Sequence, residues 1–373
     1  MRILIAVLLL SVFVNKTLFA HGECCLPKSL TEAAVSGVTK ADNFGLSLQY
    51  EYTNMKTIRD GSDKISHNSV LDQVAAGWPS QPSETKTFSI PTRMIMQRYT
   101  LVGAYSVTKK LQCLVSVPYV INDMNMRTLV RGSGGTNHQH AYSDKRQNRS
   151  SATANGAGES DMRMDMRMNT IEDIGDLTLM GLYTLLSDET ARTNEKLALG
   201  IGLKTPTGPN DEKIEDTDYF VHAVMQPGTG SWDPLFLINY TRTFYPIVCQ
   251  TNLFYQMSTE GDEGYEFGDK ISWDLIGRYQ VSDYVKPGIE FNGLYTARDK
   301  DHDDNYSRPE TSLLDDTGNT GITSLSVTPS VSVMIPNTGC SVDLKFQKPV
   351  YQNAGGTQQV VDWRSLISVV WVF

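Results

Sequence analysis

Soft metal ligands are concentrated in one stretch of the chain, between residues 124 and 168. The stretch starts with a Met-x-Met pair, passes through His-Gln-His and ends in the run Asp-Met-Arg-Met-Asp-Met-Arg-Met. Copper prefers thioether and imidazole ligands, and an extended run would place its methionines on one face and its charges on the other. The pattern predicts either a copper-binding external loop or a hairpin whose methionines pack together, and we favour the hairpin. The candidate ligands are Met124, Met126, His138, His140, Met162, Met164, Met166 and Met168.

Other patterns that could carry chemistry are weaker. Residues 298–304 read Arg-Asp-Lys-Asp-His-Asp-Asp and could offer oxygen ligands to a divalent cation. This run lacks the glycine and the final glutamate of a calcium loop, so we expect a solvated charged loop. The sequence has no Gly-x-Ser-x-Gly elbow, no His-Glu-x-x-His motif and no phosphate-binding glycine loop. We therefore predict no enzyme and no cofactor apart from the copper alternative, and a scattered catalytic site is the open alternative.

Charge and apolar distribution exclude two classes of protein. The 373 residues include 33 Lys+Arg and 42 Asp+Glu, for a net charge of −9, whereas a nucleic-acid-binding surface needs clustered positive charge. After the signal-like first twenty residues, no apolar run approaches the roughly 20 residues that a membrane-spanning helix needs. The chain is therefore predicted to be neither a nucleic-acid-binding protein nor a helical membrane protein.

The amino-terminal residues predict export. Residues 1–20 open with Arg2, continue with an apolar run and close on Ala20, which is typical of a secretory signal peptide. Cys24 and Cys25 follow, and an adjacent pair in an oxidising compartment can form a disulfide. Residues 21–43 are our candidate for a periplasmic segment that plugs a pore, and residues 44–373 are predicted to form one barrel domain.

Strict two-residue alternation dominates the rest of the sequence. In residues 271–281 the odd positions are apolar or glycine, and the even positions except Ile276 are polar. Alternation of this kind puts the two sets of side chains on opposite faces of a strand. A face that carries Lys, Asp, Glu and Arg must meet water, because an unpaired charge in a dry core is very costly.

About twelve segments share this alternation, and each is close to the 9–11 residues that a tilted strand needs to cross a membrane. Short turns alternate with long polar connections along the chain, the last long one being predicted at residues 348–363. This sorting is typical of outer-membrane barrels, which have short periplasmic turns and longer external loops. The predicted fold is all-β: a closed antiparallel transmembrane β-barrel of about 12 strands with both termini in the periplasm.

The charged residues predicted to face the lumen include both signs in near balance, so no ion preference follows. They either pair across neighbouring strands and hold the barrel's shape, or they select solutes. Twelve strands leave room for a narrow pore that a segment could block. The predicted lumen residues are Glu51, Arg98, Lys204, Asp274, Arg278, Lys286, Glu290, Asp343, Lys345 and Arg364.

The last strand ends on Phe373, and an amphipathic strand with this ending resembles the signal read by the outer-membrane barrel assembly machinery. Three further stretches, Ile-Gly-Asp-Leu-Thr-Leu (174–179), Gly-Leu-Lys-Thr-Pro-Thr-Gly (202–208) and Pro-Gly-Thr-Gly-Ser-Trp-Asp-Pro (227–234), carry a family resemblance. They are similar to the outer-membrane transporter family grouped with the meta-pathway phenol-degradation proteins. The resemblance implies a barrel with an uptake or export role and no catalytic residues.

These observations together predict a bacterial outer-membrane channel, in contact with outer-membrane lipid, that passes a small solute passively. Aromatic or other hydrophobic compounds are the candidate solutes. The alternative is a metal-binding or structural barrel that uses the Met/His-rich loop 124–173 to capture copper or contact another protein.

Overall fold

The computed structural model describes residues 43–80, 82–132, 161–189, 193–214 and 217–373. Twelve long antiparallel strands form a closed barrel, in agreement with the predicted fold class and strand count. The barrel closes where β1 pairs with β12, from Gly45 opposite Val372 to Asp60 opposite Thr357. The strands are β1 (Phe44–Asp60), β2 (Lys86–Ser106), β3 (Leu111–Arg131), β4 (Thr178–Glu189), β5 (Thr193–Lys204), β6 (Asp233–Phe244), β7 (Ile247–Gln256), β8 (Lys270–Tyr279), β9 (Val285–Thr296), β10 (Ile322–Ile335), β11 (Cys340–Ala354) and β12 (Thr357–Val372).

The alternation in sequence separates two faces of this sheet. In β1, Ser47 and Gln49 are buried, whereas the intervening Leu48 is 46% exposed. In β6, Phe236 and Ile238 are exposed on either side of the buried Leu237, so the outer face is apolar there as well. An outward apolar band with polar side chains inside is the arrangement that suits lipid around a barrel. Among the residues that the structure describes, no helix has the length and apolar character to cross a bilayer.

Several strands continue beyond the predicted segments at the loop end of the barrel. The predicted long connection 348–363 is wrong: β11 runs to Ala354, β12 begins at Thr357, and only Gly355 and Gly356 join them. Gly356 has a φ of +117°, which side chains with a Cβ rarely adopt. The alternation fades there because the consecutive residues Gln358, Gln359, Val360 and Val361 are all buried, although backbone pairing continues.

One helix, α1 (His67–Ala76), covers the extended ends of β1–β3. The Ser66 side chain accepts a hydrogen bond from the Ser69 amide and so caps its first turn. The buried face of α1 carries Val70 and Leu71, which belong to one apolar cluster with Leu129 of β3. On the same edge, Met162–Arg167 and Ile171–Ile174 pair with β3 as two short strands.

Two long loops close the interior at the loop end. Residues 205–232 contain a 3-10 turn at Ala223–Met225, and residues 297–321 contain another at Leu313–Asp315. The loops are joined by the buried Asp315 carboxylate, which lies 2.5 Å from His222 Nδ1 of the other loop, and by Arg308, whose Nη2 donates to the Phe220 carbonyl at 2.9 Å. The predicted signal peptide and residues 21–42 of the predicted plug lie outside the described residues.

Candidate functional site

Most of the predicted lumen charges form ion pairs between strands. Glu290 Oε1 lies 2.5 Å from Lys345 Nζ and 3.6 Å from Arg278, so that three strands meet at one carboxylate. Arg364 Nε lies 3.1 Å from Glu51 Oε1 across the barrel closure. These charges therefore fasten strands of the barrel to one another, either directly or across one intervening strand.

The remaining predicted lumen residues lie on the same inner faces. Asp274 accepts hydrogen bonds from Asn292 and Asn252, and Asp343 accepts one from Ser332. Arg98 and Lys286 also lie on inner faces. Arg98 stands opposite Glu51 in the β1–β2 register. Lys286 is half-buried on the same face of β9 as Glu290.

Lys204 belongs to a separate buried cluster at the base of loop 205–232. Its Nζ lies 2.6 Å from Asp233 Oδ2 and 3.4 Å from Asp176 Oδ2. Asp176 also accepts hydrogen bonds from the amides of Thr229, at 2.9 Å, and Gly208, at 3.1 Å. These contacts hold both ends of the loop inside the barrel.

The inner faces of β2–β7 are different, because apolar side chains form a wall across these strands. This apolar wall consists of Val102, Ala104, Leu114, Met180, Leu182, Ala198, Leu235, Leu237 and Phe254. Its members alternate along their strands with exposed residues of the outer face, such as Leu179 and Tyr183.

A cavity of about 80 Å³ lies above the apolar wall. Thr100, Ser116 and Leu235 line it from the barrel, and Val224 and Pro227 line it from loop 205–232. The charged residues around it are Arg98, Asp176, Lys204 and Lys270. A space of this size holds several waters or part of a small solute.

Methionines form an apolar cluster at the loop end beside the cavity, and Val224 both lines the cavity and packs against this cluster. Met94, Met124, Met126, Met168 and Met225 are buried in one cluster, with Met55 and Met96 packed against it. We call these seven residues the methionine cluster. Adjacent members stand opposite one another in the sheet, as Met55 does with Met94 and Met94 with Met124.

The predicted copper ligands are only partly brought together. Met124, Met126 and Met168 enter the methionine cluster, Met166 stands half-buried opposite Met126, and Met164 is half-buried. Met162 is exposed at the start of the short strand Met162–Arg167. His138 and His140 lie outside the described residues. The run therefore pairs with β3 as in the hairpin that we favoured, but only Met168 of its four methionines is buried with Met124 and Met126.

Four members of the cluster were not predicted from sequence. Met55, Met94 and Met96 keep the two-residue spacing of Glu51 and Arg98, so strand alternation places them on the inner face. Met225 carries no comparable signal, because it belongs to an irregular loop that folds inward.

The charged run at residues 298–304 is largely the solvated loop that we expected, with Arg298, Lys300, His302, Asp303 and Asp304 exposed, but one of its carboxylates is buried. Asp299 is only 4% exposed and accepts hydrogen bonds from the Gly268 amide and the Tyr265 hydroxyl, both at 2.8 Å. Burial raises the pKa of the Asp299 carboxyl to about 7, and the two hydrogen bonds oppose the shift. Within the described part of the chain, no three His, Cys, Asp or Glu side chains converge as a metal site.

No known protein family and no curated protein matches this sequence. Among solved structures, an outer membrane channel from Pseudomonas putida F1 is similar with a TM-score of 0.52 and 12% identity, covering 90% of this chain and 98% of that chain. The toluene transporter TodX of Pseudomonas putida has a TM-score of 0.39 and 10% identity, covering 94% of this chain and 95% of its own. The first similarity shows the fold, and this chain has the barrel fold of an outer membrane channel.

Proposed function

We propose that this protein is an outer-membrane channel through which small apolar solutes, aromatic compounds among them, pass down their concentration gradient. The observation that carries the proposal is the apolar path inside the barrel, from the methionine cluster past the cavity to the apolar wall. The interior of a membrane barrel is ordinarily polar. A largely apolar surface, interrupted at the cavity by Arg98, Asp176, Lys204 and Lys270, lowers the free energy of an apolar solute relative to water, which a channel for ions or sugars does not need.

Aromatic solutes suit the methionine cluster in particular. Thioether sulfur makes favourable contacts with aromatic rings, and the unbranched methionine side chain adapts to irregular shapes. The resemblance of residues 174–179, 202–208 and 227–234 to the meta-pathway group of transporters also supports aromatic compounds as the substrate class.

The proposed path starts at the loop end. Loops 205–232 and 297–321 are fastened by the buried Asp315, so a solute would pass beside them by displacing methionine side chains. Met124 is fully buried in the methionine cluster, on the inner face of β3. A charge at position 124 should therefore stop an apolar solute without altering the outer face of the barrel.

Uptake of an apolar dye by cells tests the proposal, because an intact outer membrane slows such compounds. Cells that produce the protein should take up N-phenyl-1-naphthylamine several-fold faster than cells that lack it. Met124→Leu should keep that rate, whereas Met124→Glu should return it to background at equal folded barrel in the membrane. Equal uptake with and without the protein would contradict the proposed function.

The methionine cluster also supports a second candidate, binding of a soft monovalent metal such as copper(I). Its seven thioethers are ligands of the right type, and they include Met124, Met126 and Met168 from the predicted set. Silver(I) is a redox-inert probe for such a site. Purified protein should bind more Ag⁺ per chain than a variant with Met94, Met124 and Met126 all changed to Leu, because the free thiols of Cys113, Cys249 and Cys340 contribute equally in both. Equal stoichiometry for both proteins would end the metal proposal.

We also infer that the barrel assembly machinery recognises the carboxyl-terminal strand through Phe373. Its amide donates to the Phe44 carbonyl at 2.8 Å, and the two rings stack with centroids 6.2 Å apart. Deleting Phe373 should reduce the amount of folded barrel in the membrane, measured by heat-modifiable gel mobility, while Phe373→Tyr should not. Undiminished folding of the deletion would contradict this inference.

A further inference from the structure

Asn122 places a polar side chain among the apolar side chains of the methionine cluster. It lies on the inner face of β3, two residues before Met124, and stands opposite Met96 in the β2–β3 register. On its other side it stands opposite Ile171, which packs against the same cluster. Asn122 is only 2% exposed, so its amide group has left water.

The amide nitrogen of Asn122 is used, and the amide oxygen is not. Nδ2 donates to the Met225 carbonyl at 3.0 Å. Oδ1 is buried without a hydrogen-bond partner among the residues that the structure describes. A rotated amide would set two oxygens against each other, because a carbonyl can only accept. The bond to Met225 therefore fixes which atom is left without a donor.

This acceptor lies beside the proposed path. Val120, two residues earlier on the same face of β3, lines the cavity, and so does Val224, which precedes Met225. A buried acceptor that lacks a donor is unfavourable, and a binding site often supplies what such a group lacks. The surrounding thioethers are flexible enough to admit a small solute.

We propose that Asn122 is a specificity-determining residue, whose Oδ1 accepts a hydrogen bond from an apolar solute that carries one hydroxyl or amino group. The methionine cluster holds the hydrocarbon part of the solute, and Oδ1 receives the single polar hydrogen. This inference rests on the proposed function, because it names the substrate class of the same path. It favours donor-bearing solutes over hydrocarbons of equal size.

Methyl NMR of the intact protein tests the inference, with ¹³C-labelled methionine methyls as reporters within the cluster. Three probes of similar size separate the contributions: benzyl alcohol carries a donor, benzaldehyde carries only an acceptor, and ethylbenzene carries neither. At matched free concentrations in water, benzyl alcohol should shift the methyls of Met96, Met124 and Met225 with a Kd about 2- to 10-fold lower than ethylbenzene. Benzaldehyde should behave like ethylbenzene.

Variants then assign the preference to the residue. Asn122→Leu should bring the ratio of the two Kd values to about one, whereas Asn125→Leu, a matched change on the opposite face of β3, should leave it unchanged. If Asn122→Leu does not fold, the three probes on the natural protein still decide. Equal affinity for alcohol and hydrocarbon, or methyls that no probe shifts, would overturn the inference. Equal dye uptake by cells with and without the natural protein would instead count against the proposed function, so the two failures are distinguishable.

Discussion

The two halves of the barrel interior are built from different side chains. On β8–β12 and β1, Glu290 pairs with Lys345 across the intervening β10, and Glu51 pairs with Arg364 across the barrel closure. On β2–β7, aliphatic, aromatic and thioether side chains form the apolar wall and most of the methionine cluster, and the Lys204–Asp233 ion pair is confined to the loop end of β5 and β6. Ion pairs need fixed geometry, whereas apolar contacts tolerate rearrangement. The comparison suggests that the charged half maintains the shape of the barrel and the apolar half adapts to a solute.

The largest expected effect comes from breaking the charged half. Lys345→Met removes the closest cation of the buried Glu290, so the free energy of unfolding should fall by about 3 kcal/mol. Adding Glu290→Gln should restore most of the loss, because the uncompensated charge is removed. Urea unfolding of the refolded barrel in detergent measures both. If the double variant is as unstable as the single one, the pair is not the source of the effect.

Truncation in the apolar half should cost somewhat less and should depend on the face. Leu237 is 2% exposed in the apolar wall, so Leu237→Ala should lower the free energy of unfolding by roughly 2–3 kcal/mol by opening a cavity. Leu275 is 39% exposed on the outer face, and Leu275→Ala should cost less than half as much. The same urea titration compares them. Equal losses would contradict the assignment of the two faces.

The loop end adds a pH dependence of stability that neither the ion pairs nor the apolar wall explains. Burial raises the pKa of Asp299 to about 7 in the folded protein, against roughly 3.9 in an unfolded chain. The folded state therefore holds the proton more tightly. The resulting stabilisation is fully present below about pH 4 and is lost as the pH rises through about 7.

Unfolding at pH 5 and pH 8 checks this sign. The free energy of unfolding of the natural protein should be higher at pH 5 than at pH 8 by the contribution of Asp299. In Asp299→Asn this contribution is absent, so the difference between the two pH values should be smaller. Asp303→Asn alters an exposed carboxylate of the same loop and should keep the natural profile. A pH difference that Asp299→Asn leaves intact would point to another group.

The smallest effect on stability should come from replacing a buried thioether with a hydrocarbon side chain of similar volume. Met124 is fully buried in the methionine cluster, and Met124→Leu should cost less than about 1.5 kcal/mol in unfolding free energy. Dye uptake should also persist, because the path stays apolar. A loss larger than that of Leu237→Ala would mean that the cluster is packed as rigidly as the apolar wall.

The strands could be predicted from sequence because their alternation reflects lipid on one side and water or polar neighbours on the other. That pattern correctly gives the strand count and places Glu290, Lys345 and Arg364 on inner faces. It does not reveal which charges pair, because partners come from strands that are distant in sequence. The pairing of Glu51 with Arg364, for example, depends on closure of the barrel.

The loop end was harder to predict for physical reasons. Loop 205–232 has no periodicity, and its position depends on the contacts of Asp176 and Lys204 rather than on local preference. Asp299 stands in a run of charges that suggests solvent, and only the packed loops bury it. Local sequence does not report contacts of this kind.

The relative permeability of an apolar and a polar probe in the same cells tests the proposed path most directly. N-phenyl-1-naphthylamine reports apolar passage, and nitrocefin cleaved by a periplasmic β-lactamase reports polar passage. Production of the protein should raise the uptake rate of the dye several-fold and leave nitrocefin cleavage close to background. Faster nitrocefin cleavage with unchanged dye uptake would contradict an apolar channel and indicate a water-filled pore.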